Sequence, residues 1–357
     1  MRNIALFCLM LVCGTAASQT QVSNHTPGVT PDGATFFLPK TAIRISVMVE
    51  KTEYQPGDYA IYAQKFLRLN NVSTEPSTSY RVLSVNQYAV GVADTTKAYS
   101  IKFNNKTSAI NIALAQDGVL LAINAQPSEP WKFVPFTPAP KKSMEDPHKY
   151  LTEEILSAGS TAKMAQLTAQ EIYDLRENRN LLIKGQADFM PQDGAQMRLM
   201  LDQIEMQDKL LTSLFCGTTQ CDTTEHVFMV YPKENVHNKQ LFRFSSHFGI
   251  VDADDLSGAP YYITLTDLNS VPKTVVNPKE KKKDKAENGL YYNVPGTVRS
   301  VISNFNQMVV SQAEFPAAQF GNVELLSGDL FNKHYSTRLW LNPLTGNIDR
   351  LEAEQPK

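Results

Sequence analysis

In the segment TAIRISVMVE, residues 41–50, Ile43, Ile45, Val47 and Val49 alternate with Arg44, Ser46, Met48 and Glu50. Successive side chains of an extended strand point to opposite faces, so a period of two makes this segment a strand with one buried face. The same pattern returns at residues 80–92, 98–103, 109–114 and 119–124, the last two joined through Asp117-Gly118, a hairpin turn signal. Sequential antiparallel pairing is the expected topology. After Pro56-Gly57, Asp58 is expected to cap a short helix whose Tyr59, Tyr62, Ala63, Phe66 and Leu67 recur at three and four.

The stretch QPSEPWKFVPFTPAP, residues 126–140, holds five prolines, which exclude a regular helix or an interior strand. It reads as an extended connector carrying Trp131, Phe133 and Phe136. From about Tyr150 the pattern turns helical. Thr168 to Glu171 has the form of a capping box, Ile172, Leu175, Leu182 and Ile183 make an apolar stripe, and Gly185 stands where a helix ends. A second helix is expected over residues 193–216, with a methionine-rich apolar side (Met197, Met200, Leu201, Ile204) read as core filling. The two helices form an antiparallel hairpin around a short loop.

Strands are expected again at residues 225–231, 240–244, 261–265, 289–293, 297–303, 308–313, 322–326 and 337–341, with a closing hairpin around NPLTG, residues 342–346. The fold expected is α+β, mainly β: two antiparallel, sandwich-like β domains with a helical hairpin between them. The divisions are a signal peptide over 1–18, a flexible tether over 19–34, an N-terminal β domain over 35–125, a proline-rich connector over 126–149, the hairpin over 150–217 and a C-terminal β domain over 218–357.

Arg2, the apolar run 4–12 and the small residues Gly14 to Ser18 have the layout of a cleavable secretory signal, so the chain is expected to be exported, periplasmic or associated with the outer envelope. The rival layout is a lipoprotein signal anchored through Cys13, which wants a small residue where Val12 stands. No later segment approaches the ~20 apolar residues of a membrane span. A formal net charge of −2 with both signs scattered does not suit nucleic acid. The basic run 279–288 is broken by acids and reads as a solvated loop.

The strings LPKTAIRISVMVEKTEYQPGDYAIYAQKFL, TAQEIYDLRENRNLLIKG, FRFSSHFGIVDADDLSGAPYYI, AAQFGNVELL and NPLTGNIDRLE resemble an exported bacterial family, the domain of unknown function family 4831. The resemblance covers nearly all of the chain beyond the leader. It implies bacterial export and one shared architecture. It carries no activity, cofactor or catalytic residue to transfer, and no requirement for cysteines at 216 and 221.

Chemistry is sparse. Asp252, Asp254 and Asp255 form the one cluster of hard ligands and make a weak calcium candidate, but the fifth and twelfth positions of an EF-hand count hold Leu256 and Ile263. A turn capped by Asp254 or Asp255 and ended by Gly258 accounts for the same letters. There is no nucleophile elbow, P-loop or dinucleotide fingerprint, and His148, His237, His247 and His334 lack paired spacing. No catalytic residue, cofactor or firm metal site is expected.

Cys216 and Cys221 have four residues between them. That spacing does not suit a thioredoxin pair, and a helix C-terminus disfavours a thiolate. Zinc held with His226 and Asp222 or Glu225 is a rival, and export favours a disulfide that staples the second helix to the strand after it. Asp94-Thr95-Thr96 and Asp222-Thr223-Thr224 resemble O-glycosylation acceptors of exported proteins in that bacterial group, which makes Thr95 and Thr223 candidates. The sequons at Asn24, Asn71 and Asn105 matter only in a eukaryotic secretory route. The expected function is a non-enzymatic binding or structural module of the envelope, with a protein or glycan partner and an open oligomeric state. The alternative is a secreted hydrolase of envelope or dietary polymers with its site in an interdomain cleft.

Overall fold

A computed structural model describes residues 21–24, 33–102, 111–128, 133–140, 145–272, 289–331 and 335–354. The leader with Cys13, Asn105, Trp131, the basic run 279–288 and His334 lie outside the described residues. The chain is mainly β, 48% strand and 23% helix, in three antiparallel sheets with few helices.

The alternating segment belongs to a strand far longer than its own ten residues. Strand β2 (Gly33–Gln55) pairs along its length with β3 (Ser77–Lys102), and β1 (Gln21–Asn24) adds to the far side of β3. The fourth member of this sheet is β6 (Thr218–Val230), which pairs with β2 from Ile43↔Val230 to Gln55↔Thr218. Facing it is a five-stranded sheet of β7 (Val236–Ser245), β8 (Gly249–Val251), β9 (Ala259–Asp267), β10 (Gly289–Ser303) and β11 (Val309–Ser327), in the order β11-β10-β9-β7-β8.

Ile43, Ile45, Val47 and Val49 are buried against Phe242, Ile263, Leu265, Val298 and Ile302 of that second sheet, which confirms the buried face read from the alternation. Burial of such side chains stabilises by about 1.5–3 kcal/mol each relative to exposure. The third sheet is assembled from both ends of the chain: β4 (Ile112–Leu114) and β5 (Leu120–Ile123) pair through β5 with β12 (Ser336–Leu341), which carries β13 (Ile348–Glu354). Its core joins Phe36, Leu38, Tyr99, Leu120, Ile123, Leu290, Phe331, Leu339 and Leu341.

Two long ribbons, β2–β3 and β10–β11, therefore serve both β cores, and each is interrupted beside a proline. Leu38, before Pro39, faces Asp94 to Lys97, and Pro295 faces Ala318 to Gly321, three extra residues in each case. A bulge accommodates the missing proline N–H and re-aims the strand toward the next core. The β domains expected over 35–125 and 218–357, the second beginning past the 217/218 boundary, are joined by strand pairing. The β2–β6 ladder crosses that boundary, and so does the pairing of β5 with β12.

The helices form a layer of their own. After the short α1 (Ala63–Leu67) and α2 (Glu153–Leu156), helices α3 (Thr161–Lys184) and α4 (Gly194–Cys216) make the expected hairpin. Their shared core is Tyr59, Ala165, Ala169, Ile172, Leu175, Leu211, Leu214 and Phe215, with Ile155 beneath α3.

Candidate functional site

The helical hairpin is set by its ends. Gly185 closes α3 at φ 69°, a left-handed conformation that suits glycine, and its N–H donates to Leu181 and Leu182 carbonyls. The Asp193 carboxylate accepts from the Gln196 N–H and starts α4. Thr168 is not a cap: the helix begins seven residues earlier, where the Ser160 hydroxyl accepts from the Lys163 N–H. Thr168 is buried inside the helix and donates to the Met164 carbonyl at 2.9 Å. Asp58 likewise caps nothing at α1, whose N-terminus has no side-chain cap.

The hairpin core runs out before the hairpin does. Between Leu175 and the loop only Leu182 is buried on α3, and no residue of α4 is buried before Leu210. The methionine-rich side, expected as core, is only half-buried at Met197, Met200 and Met206. Arg176 clamps the base of this arm, its guanidinium donating to both carboxylate oxygens of Asp208 at 2.9–3.1 Å and to the Thr212 hydroxyl at 3.3 Å. At the tip Phe189 is 68% exposed and Leu199 61%, with Ile183 and Met190 exposed beside them. The signal for this tip was present in GQADFMPQD, where a Phe-Met pair sits in an otherwise polar loop.

A second feature lies on the outer face of the first sheet. Arg44 and Glu225, on neighbouring strands, pair at 3.1 Å, and the Ser46 hydroxyl donates to the same carboxylate oxygen at 2.6 Å. The hydrogen bond from Ser46 and the charge of Arg44 hold the Glu225 carboxyl below its usual range. The proline-rich connector is strapped over this pair. The Phe133 ring lies 4.2 Å from the Arg44 guanidinium and meets the Tyr88 ring edge-on at 5.2 Å. Phe133, Ala89, Val90, Gly91 and the Asn342-Pro343-Leu344 turn line a shallow, mostly apolar groove of about 340 Å³. No local pattern marks this cluster, because Arg44 and Glu225 meet only through the β2–β6 ladder.

The residues singled out from sequence are dispersed. In the Asp252–Gly258 loop, the Asp252 carbonyl accepts from the Asp255 N–H at 3.1 Å and the Asp255 carboxylate from the Ser257 N–H at 2.8 Å. Hydrogen bonds from the Ser257 backbone and side chain hold the Asp255 carboxyl below its ordinary range, as a turn cap. Among the described residues no three His, Cys, Asp or Glu side chains converge to hold a metal ion, those of Asp252, Asp254 and Asp255 included.

Cys216 and Cys221 are free thiols and do not form the expected disulfide. Gly217 turns the chain straight into β6, whose extended residues carry Cys221 away at about 3.3 Å per residue. The separation soon exceeds the ~7 Å that a disulfide spans between Cα atoms. Burial raises the Cys216 thiol pKa, and Cys221 is exposed against the Thr52 hydroxyl at 3.8 Å. Zinc held by Cys216, Cys221 and His226 is excluded by the same separation. Thr95 is exposed on the β3 bulge, while Thr223 is half-buried in β6 opposite Glu50.

His148 bridges two carboxylates at 2.8 Å each, Asp146 through Nδ1 and Asp58 through Nε2. Hydrogen bonds to these two groups raise its pKa, and the carboxyl of Asp146 is lowered in return. The imidazole is exposed and clasps the end of the connector to the turn before α1. Among the described residues no helix is long and apolar enough to cross a membrane.

No curated protein and no solved structure matches the chain. A family model does, described as "Domain of unknown function (DUF4831)" and covering residues 32–349 of 357. That span takes in both long ribbons, the helical arm and the NPLTG turn, and the chain belongs to this family.

Proposed function

We propose that the chain is an exported cell-envelope protein that acts by binding, and that it holds a second envelope protein at the tip of the α3–α4 arm. The observation that carries this reading is the exposure of Phe189, Met190, Ile183 and Leu199 toward the loop end of the hairpin, where beyond the clamp Leu182 alone is buried among the described residues. Aromatic and methionine side chains are enriched where protein interfaces lose water, and they adapt to a partner's shape. The leader-like residues 1–18 support export. The carboxyls whose pKa values move, Asp146, Glu225 and Asp255, all move down. That direction suits ion pairs and turn caps, whereas a general acid needs its pKa raised toward neutrality.

The test is a photo-crosslinking residue at position 189 of the full chain, expressed in its native envelope. The expected product is one discrete adduct with a different protein, lost when Met190→Ser and Leu199→Ser are combined. Adducts only to copies of this chain, or turnover of an envelope polymer by the purified protein, contradict the reading.

A further inference from the structure

Among the described residues each sheet ends in two edge strands, and five of the six are short, densely charged, or broken by proline and a bulge; β3, beyond the four residues that β1 covers, also lacks a ladder partner on that side but is bulged at Asp94–Lys97. β1, β4 and β8 are four, three and three residues long. β13 carries Asp349, Arg350, Glu352 and Glu354 along its seven residues. β11 contains Pro316 and the three-residue bulge, and part of its open side is taken up by Thr41: the Ala318 N–H donates to the Thr41 hydroxyl, and the Gln319 amide brackets the Thr41 backbone. Short length, charge, proline and bulges are the usual means of blunting an edge.

β6 carries Asp222 and Glu225 but is neither short nor broken by a proline or a bulge. It runs thirteen residues in unbroken register with β2, without Pro, Gly, Lys or Arg. Among the described residues it has a ladder partner on one side only. Val227 and Met229 are exposed on its outer side. We infer that β6 is a self-pairing edge, through which two copies of this chain join antiparallel about a twofold axis centred on Thr224.

The register follows from the strand itself. Thr224 is the midpoint of Thr218–Val230, so a twofold axis there pairs every residue of β6, from Thr218 against the partner's Val230 through Thr224 against the partner's Thr224. This register sets Asp222 opposite the partner's His226, twice, and Glu225 opposite the partner's Thr223. Moving the axis one residue toward the C-terminus would set Glu225 against itself, and directly opposed like charges destabilise a sheet. The exposed Thr224 side chain accommodates its own copy. The result is one continuous sheet in the order β1-β3-β2-β6-β6-β2-β3-β1. This inference goes beyond the binding reading and stands without it.

Cysteine scanning tests the register in a chain whose four native cysteines are replaced by serine. Directly opposed residues have Cα atoms about 4.5–5.5 Å apart, within the span of a disulfide. Thr224→Cys is therefore expected to give a covalent dimer under oxidation. Thr219→Cys alone, roughly 34 Å from its copy at 3.4 Å per residue, should not. Thr219→Cys combined with Met229→Cys should. By light scattering the native protein is expected at twice the chain mass, and Thr224→Lys, which opposes two ammonium groups, at the chain mass with an unchanged circular dichroism spectrum. A native protein of one chain mass at every concentration, a dimer that Thr224→Lys leaves intact, or cross-linking at Thr219→Cys alone overturns the inference. None of these results bears on the adduct sought at position 189.

Discussion

Asn293 joins parts of the chain that sequence keeps far apart. Its side-chain amide donates to the Pro39 carbonyl at 2.9 Å and the Thr345 carbonyl at 2.8 Å, and its backbone N–H donates to Gly346 at 3.0 Å. One residue thus ties β10 to the bulge of β2 and to the closing NPLTG turn, where all three β assemblies meet. Gly91 of β3 completes the junction, because a Cβ there would collide with the Pro343 carbonyl oxygen. Asn293→Leu fills similar space but strands two buried carbonyls, each costing about 1–3 kcal/mol. The denaturation midpoint should fall by an amount equivalent to about 3 kcal/mol with the slope unchanged; an unaltered midpoint would show that the junction is not structural. The NPLTG turn itself was legible, because turn chemistry is local to a few residues. Its anchor was not, because an asparagine inside an apolar strand gives no sign of which distant carbonyls it reaches.

Elements were legible where a period ran unbroken and blurred where chemistry changed inside one. The strand β3 reads as two pieces in sequence, because Asp94-Thr95-Thr96 resembles a break; in the structure it is a bulge that the ladder crosses. The Gly185 cap and the start of the second helix near Asp193 were legible, since each depends on residues at its own helix end. The start of α3 was misplaced because Thr168-Ala169-Gln170-Glu171 satisfies the capping pattern, while burial of Thr168 and its bond to Met164 keep it helical. Ser160→Ala should therefore destabilise by about 1 kcal/mol, the ordinary worth of an N-cap. A loss within a few tenths of a kcal/mol of zero, measured by chemical denaturation, would mean that the first turn of α3 does not depend on that cap.

The whole molecule was legible in class and illegible in plan. Alternation marks a residue as strand and says which side is buried, so a mainly β fold with a helical hairpin followed directly. Which strand lies beside which depends on pairs such as Ile43↔Val230 and Ile123↔Leu339, and no local pattern encodes these. Interleaving leaves the β scaffold as a single unit whose ribbons serve two cores. The arm beyond the Arg176–Asp208 clamp contributes little to that unit, since only Leu182 is buried there on α3. Strands hold the molecule together, and the arm is where we place the proposed binding surface. The most direct test replaces residues 177–203 by a short Gly-Ser linker and follows both unfolding and capture of the envelope partner. The account predicts a single cooperative transition with the midpoint essentially unchanged and partner capture abolished. Loss of the cooperative transition, or capture that survives the deletion, would contradict it.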